Sequence, residues 1–362
     1  MFYFYNFLIT KTQTKAQTKV YATNSLLFIL LIFSIIACST PTETKPEMEF
    51  VQPKNFPKPI YDLSKNPLST AGFELGRALF YEKTLSRDGS ISCGSCHEQA
   101  SAFTHHLHDV SHGIDDQLGN RNPLPIQNLA WHNSFSWDGG IHDLDLFAIV
   151  PIENHVEMDE KLGNVLSKLQ KNPRYPPLFN KAFGSPKITT NNFLKALSQF
   201  MLTIVSSNSR YDKYIRKEGE ILTSDELQGL EIFKQKCATC HSGELFSDFS
   251  FRNNGLTNEI NKDKGRGLIT LNVSDDYKFK VPSLRNVQLT APYMHDGRFY
   301  TLEEVLNHYQ NEVKNTPNLD TALQKNAKLG IELSTAEKLQ IIAFLKTLTD
   351  RTFIKDKKFI EQ

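Results

Sequence analysis

Cys93-Gly-Ser-Cys96-His97 and Cys237-Ala-Thr-Cys240-His241 are two copies of one pattern, C-x-x-C-H, set far apart in a chain of 362 residues. In this pattern two thiols add to the vinyl groups of a haem, and the adjacent histidine ligates iron from the proximal side. The spacing is short because both thioether bonds must reach one porphyrin edge while the imidazole stays under the metal. Two other readings compete: a thioredoxin-like redox pair and a shared four-cysteine zinc site. The first wants a βαβ context that the flanking pattern lacks, and the second leaves both histidines unexplained. Two covalently bound haem c groups are therefore expected, one on Cys93, Cys96 and His97, the other on Cys237, Cys240 and His241.

The flanks agree. Over Ala71–Tyr81, Phe73, Leu75, Ala78, Leu79 and Phe80 recur at helical spacing ahead of the first motif. Thr223-Ser-Asp-Glu226 is a helix start, with Leu227, Leu230 and Phe233 on one face. Ser334-Thr-Ala-Glu337 starts another helix, with Leu339, Ile342 and Leu345 aligned. Alternating β patterns are scarce. The expected fold is mainly α, with two cytochrome c-like domains, 59–218 and 219–362, each carrying one haem.

Residues 1–24 hold Lys11, Lys15 and Lys19 and no acid, and the apolar stretch from Leu26 to Ala37 ends at Cys38. The stretch is too short to span a bilayer as a helix, which takes roughly 20 residues. It fits an export signal over 1–37, and Ile36-Ala37-Cys38 resembles a bacterial lipobox with Cys38 as the acylated residue. An ordinary signal peptide with an incidental cysteine is the alternative. Residues 38–58, rich in Pro, Thr, Lys and Glu, suit a flexible tether. The expected place is the periplasm or outer envelope, with the membrane reached only by the lipid anchor. Lys plus Arg number 41 and Asp plus Glu 40, so nothing marks a nucleic-acid binder.

Between and around the haem motifs run Leu85-Ser-Arg-Asp-Gly-Ser-Ile-Ser-Cys93, Gly119-Asn-Arg-Asn122, Ser136-Trp-Asp-Gly139 and Pro151-Ile-Glu-Asn-His-Val-Glu-Met158. Phe279-Lys-Val-Pro-Ser-Leu-Arg-Asn286 and Leu289-Thr-Ala-Pro-Tyr-Met-His-Asp-Gly297 follow. In this order the segments resemble the bacterial di-haem cytochrome c peroxidase family, including its MauG-like branch. The resemblance implies an enzyme that reduces hydrogen peroxide to water, with a peroxidatic haem in the N-terminal domain and an electron-transfer haem in the C-terminal one. It implies a donor such as a small cytochrome c or a cupredoxin, and family members often form homodimers. Two other functions stay open: peroxide-dependent oxidation of a partner protein, as in the MauG-like branch, and a non-catalytic di-haem electron carrier.

Glu157 matches the family's catalytic glutamate. Cleaving the O–O bond of a peroxide needs a group that takes a proton from one oxygen and hands it to the other, which a carboxyl in a poorly solvated pocket can do. Glu153, four residues earlier, would share its face on a helix, but Pro151 points to a loop. Trp137 matches the inter-haem tryptophan, with Trp131 assigned to the core. His112 is the candidate second ligand of haem one; His105, His106 and His108, expected to be exposed, compete, and a zinc or copper site from this cluster is a further alternative. At haem two the family's methionine is replaced by Tyr309, as in the MauG-like branch, with Met294 as the competitor. Phe147 stands where the family commonly has glutamine. Asn122, Thr290 and Pro292 fall on the family's inter-haem calcium ligands, oxygen donors that suit that cation. Arg121, Arg285 and Arg298 are candidates to pair haem propionates.

Overall fold

A computed structural model of the protein describes residues 48–257, 262–325 and 327–362. The expected export signal over 1–37 and the expected acylation site at Cys38 lie outside the described residues. Helix dominates. The strands are two-residue antiparallel ladders, β1 (Phe251–Arg252) with β2 (Phe279–Lys280) and β3 (Gln324–Lys325) with β4 (Lys328–Leu329). The helices in chain order are α1 (Thr70–Phe80), α2 (Cys93–Cys96), α3 (Leu144–Phe147), α4 (Ile149–Glu153), α5 (Leu162–Lys171) and α6 (Tyr175–Phe183). They continue as α7 (Thr190–Thr203), α8 (Arg210–Ile215), α9 (Ser224–Lys236), α10 (Gly267–Thr270), α11 (Leu302–Asn307) and α12 (Thr335–Lys346).

Each haem-attachment sequence follows a capped helix that packs on a later one. Ser69 caps α1, and capping boxes start α9 (Thr223 with Glu226) and α12 (Ser334 with Glu337), satisfying N–H groups that a helix leaves unpaired. α1 packs on α7 and α9 on α12. Both crossings are made close by glycine. A Cβ on Gly76 would fall 2.0 Å from the Ala196 carbonyl oxygen, and one on Gly229 would fall 1.9 Å from that of Gln340.

Two apolar cores result. The first gathers Phe80, Phe103, Phe193 and Phe200, with Phe80 and Phe200 ring centroids 5.1 Å apart. The second gathers Tyr211, Phe233, Phe246 and Phe344, with Phe233 and Phe344 at 5.2 Å. The division does not follow the expected 218/219 boundary throughout. Tyr211 joins the second core, while Phe353 and Phe359, near the C-terminus, return to the first.

Three local expectations need correction. On α12 the buried residues are Ile341, Phe344 and Leu345, whereas Leu339 is 63% exposed; the Gln340 carbonyl seated against Gly229 sets the helix rotation. For the same reason Leu227 stands at the edge of the α9 stripe, not in it. Pro151 itself lies in the first turn of α4, where a missing N–H breaks no bond, but the chain leaves the helix at Asn154, so Glu157 stands in the turn beyond and shares no helical face with Glu153. Of the expected tether, residues 48–58 pack on the first core instead. Phe56 is buried, with its ring edge-on to Trp131 at 5.0 Å, and the Trp131 Nε1–H donates to the Pro57 carbonyl at 2.8 Å. These aromatic contacts outweigh the polar composition of the segment. No helix among the described residues is long and apolar enough to cross a membrane.

Candidate active site

Two cavities lie at the haem-attachment sequences. The first, about 470 Å³, is lined by Cys93, Cys96 and His97; the second, about 1010 Å³, by Cys237, Cys240 and His241. Cavities of about 300–1,000 Å³ are the range that takes cofactor-sized ligands. All four cysteines are free. Burial pushes the Cys93 and Cys237 thiols up to about 12 and Cys96 up to about 11. A thioredoxin-like pair needs the opposite shift, toward thiolate. Both histidines are oriented alike. His97 Nδ1 is 2.8 Å from the Phe103 carbonyl oxygen and His241 Nδ1 is 3.1 Å from that of Phe246. A carbonyl acceptor assigns the proton to Nδ1 and leaves Nε2 as the ligand atom. Burial lowers both imidazole pKa values, His97 to about 4, so each is neutral and able to ligate. Paired free thiols and an aimed imidazole in each cavity fit a covalently held haem.

Glu157 lines the first cavity, half-buried in the turn after α4. Ser111 Oγ lies 3.5 Å from its Oε1, and the Ile114 N–H donates to its backbone oxygen at 2.9 Å. Burial pushes its carboxyl pKa up against the lowering effect of hydrogen bonds from Asn154 and Ser111. The loop that carries His112 is thus docked on the turn that carries Glu157, and His112 lines the same cavity. Its Nε2 is 3.2 Å from His108 Nδ1, and His105 stacks on His108 at 4.0 Å. Phe147 lines this cavity too, 5.6 Å from the Phe135 ring, and gives an apolar surface where an amide would have donated or accepted.

Trp137 and Asn122 line both cavities. Trp137 is buried; its Nε1–H donates to the Asn122 carbonyl at 2.7 Å, and its own carbonyl accepts the Lys280 N–H at 2.7 Å. Asn122, Thr290 and Pro292 come together on the wall of the second cavity. The Asn122 amide nitrogen is spent on the His108 and Asp109 carbonyls, at 3.2 and 3.0 Å, so its amide oxygen is the atom left to meet a cation.

Tyr309 and Met294 both line the second cavity. Tyr309 lies in a π-helical turn, His308–Glu312, directly after α11. Such turns re-aim side chains and recur at functional sites. Burial pushes its phenol up to about 12, partly offset by a hydrogen bond from Asn254. Asn254 Nδ2 also reaches Met294 Sδ at 3.4 Å, so one amide touches both candidates.

The family profile for di-haem cytochrome c peroxidases matches residues 70–220. The methylamine utilization protein MauG of Methylorubrum extorquens is 36% identical over 305 residues, covering 83% of each chain. The chain belongs to the di-haem cytochrome c peroxidase family. Cytochrome c551 peroxidase of Nitrosomonas europaea is 34% identical over 280 residues, 76% of this chain and 79% of its own. Among solved structures, a MauG-like protein associated with microbial copper homeostasis superposes with a TM-score of 0.78 at 32% identity, covering 86% of this chain and 99% of that one.

Within this family, the protein differs from what its sequence leads one to expect at several residues. His105 is buried, not exposed, with its ring stacked on His108; of the competing trio only His106 is exposed. Among the described residues no group of three or more His, Cys, Asp or Glu is arranged to hold a metal ion, so the zinc or copper alternative falls. Arg285 is not placed for a propionate. It is fully buried and bidentate to Asp212, at 2.9 and 2.8 Å. Arg121 is held by Asp138 and Asp263, and Arg298 by Asp296. The sequence reading passed over Lys280, His132 and His295. Lys280 stands as a cation inside Phe279-Lys-Val-Pro, but nothing in the sequence shows that it is buried. His132 carries no sequence signal, since stray histidines are common in cores, whereas His295 lies within the Leu289–Gly297 segment.

Proposed function

We propose that the protein is an exported di-haem peroxidase that reduces hydrogen peroxide to water with electrons from a small c-type cytochrome or a cupredoxin. The chemistry sits in the first cavity, in the domain built mainly from 59–218. Electrons enter at the second, in the domain built mainly from 219–362. A haem bound in each cavity supplies the one-electron redox chemistry. The observation that carries the reading is Glu157 in one cavity with Cys93, Cys96 and His97. Its raised pKa suits a carboxyl that takes a proton from one peroxide oxygen and returns it to the other. The phenyl groups of Phe147 and Phe135 keep bulk water from the site. His97, held through Phe103, serves as the proximal ligand, with His112 the candidate distal ligand of the resting enzyme. Trp137, in the wall common to both cavities, is the relay between the haems. Asn122, Thr290 and Pro292 would hold calcium beside it.

Steady-state consumption of peroxide, followed by oxidation of a reduced small cytochrome c, tests this. Glu157→Gln is expected to lose about 10²–10⁴-fold in turnover while one haem still binds cyanide. Unchanged turnover in that variant would overturn the assignment, and a wild-type protein inert to peroxide and cyanide would be an electron carrier.

A second reading, peroxide-dependent oxidation of a partner, is favoured by Tyr309 in the second cavity and by the likeness to MauG. We place Tyr309 ahead of Met294 as second ligand of that haem. Export, a lipid anchor at Cys38, residence in the periplasm or outer envelope and a homodimer complete the proposal.

A further inference from the structure

Lys280 is a buried cation that neither reading uses. Of the described residues that line both cavities, Lys280 alone has an ionisable side chain. It lies on β2, is 4% exposed, and its backbone N–H is the donor to the Trp137 carbonyl. Its ammonium donates to the carbonyl and, at 2.9 Å, the hydroxyl of Ser134, which lines the first cavity only. The Phe251 and Phe249 rings flank it at 5.4 and 6.0 Å. The charged and titratable groups facing it are Arg266, Asp138 and His132. Asp138 is already paired with Arg121, and Arg266 is stacked on Phe251 at 4.0 Å. His132 Nε2 is buried beside it with no partner among the described residues. Among the described residues no carboxylate pairs with the Lys280 ammonium, and a buried cation without a counter-ion is costly to keep.

A haem brings two propionate carboxylates, the anion class this wall lacks. Resting on the two-haem reading above, we infer that Lys280 takes a propionate of the first-cavity haem as its counter-ion and sets the reduction potential of that haem. A positive charge nearby favours the reduced iron, which carries one charge fewer. Burial and Arg266 pull the Lys280 pKa down, against Asp138, and a propionate carboxylate beside it would push it back up and hold the ammonium charged. Lys280 is a positioning and tuning residue, since it touches the haem edge and no reacting atom of peroxide.

Spectroelectrochemical titration of the holoprotein tests this, with covalent haem counted on the same samples. The cyanide-binding haem of Lys280→Met is expected to have a lower midpoint potential than that of the wild type at neutral pH, because the buried positive charge is lost. Lys280→Arg, which keeps the charge, should keep a potential close to the wild type's. With two haems per chain, a Lys280→Met potential equal to the wild type's, or a Lys280→Arg potential as low as that of Lys280→Met, overturns the role of Lys280 alone. Fewer than two haems overturns the two-haem reading with it. If Lys280→Met does not fold, Lys280→Gln, which keeps a donor and loses the charge, takes its place in the comparison.

Discussion

Glu157 is the residue on which catalysis is expected to turn, and its environment dictates a pH response. Burial raises its pKa, so the carboxyl keeps its proton to higher pH than an ordinary glutamate. Accepting a proton from peroxide needs the carboxylate, so turnover should fall as pH drops through that raised pKa. Ser111→Ala removes a donor to the carboxylate and should move the acid limb upward; a pH–rate profile identical to wild type would contradict the contact. At the other haem, Tyr309→Met should change the visible spectrum of one haem only and raise its potential, as a neutral thioether replaces an anionic ligand. An unchanged spectrum would exclude Tyr309. Residues with a covalent or motif signal, the four cysteines with His97 and His241, were legible in sequence and sit in the two cavities. His105 and Lys280 were not, because burial of a lone polar group depends on loops folding over it.

At the scale of elements, the capped helices α9 and α12 begin where Thr223 and Ser334 predict, since capping is a local interaction. Which face of α12 turns inward was misread, because Leu339, Ile342 and Leu345 form an apolar stripe of almost the same spacing as the true one. The helix crossing decides, and it is set by Gly229 against Gln340. Gly229→Ala should therefore destabilise by about 1–3 kcal/mol through overpacking against backbone that cannot move aside. Gly163→Ala, on the exposed side of α5 with open space around it, should be neutral or stabilising by at most about 1 kcal/mol. Thermal unfolding of the two variants gives the comparison; equal midpoints would contradict the close crossing.

Across the whole molecule, long-range polar contacts join segments that the sequence keeps apart. Arg285 and Asp212 pair at zero exposure, Asn55 of the packed strap donates to Asp212 at 3.0 Å, and the Arg285 guanidinium lies 4.4 Å from the Phe56 ring. None of this is periodic, so none was legible. Burial alone would raise the Asp212 pKa, but the hydrogen bonds and charge of Arg285 outweigh it and hold the carboxyl below its ordinary value. Such a group adds stability that is complete above the unfolded value of about 3.9 and is lost as pH falls through the lower folded value. Asp212→Asn leaves Arg285 buried and unpaired and should cost about 3–5 kcal/mol in denaturant unfolding at neutral pH. A loss below about 1 kcal/mol would contradict the pair's role.

The central claim joins both cavities into one two-electron device. One hydrogen peroxide takes up two electrons and two protons to give two waters, which is one electron from each haem of a chain. Rapid mixing of the fully reduced protein with one equivalent of peroxide per chain, followed at the visible bands of both haems, measures this directly. The account predicts that both haems are oxidised together at that stoichiometry. A reduced spectrum that persists in the presence of peroxide would contradict it.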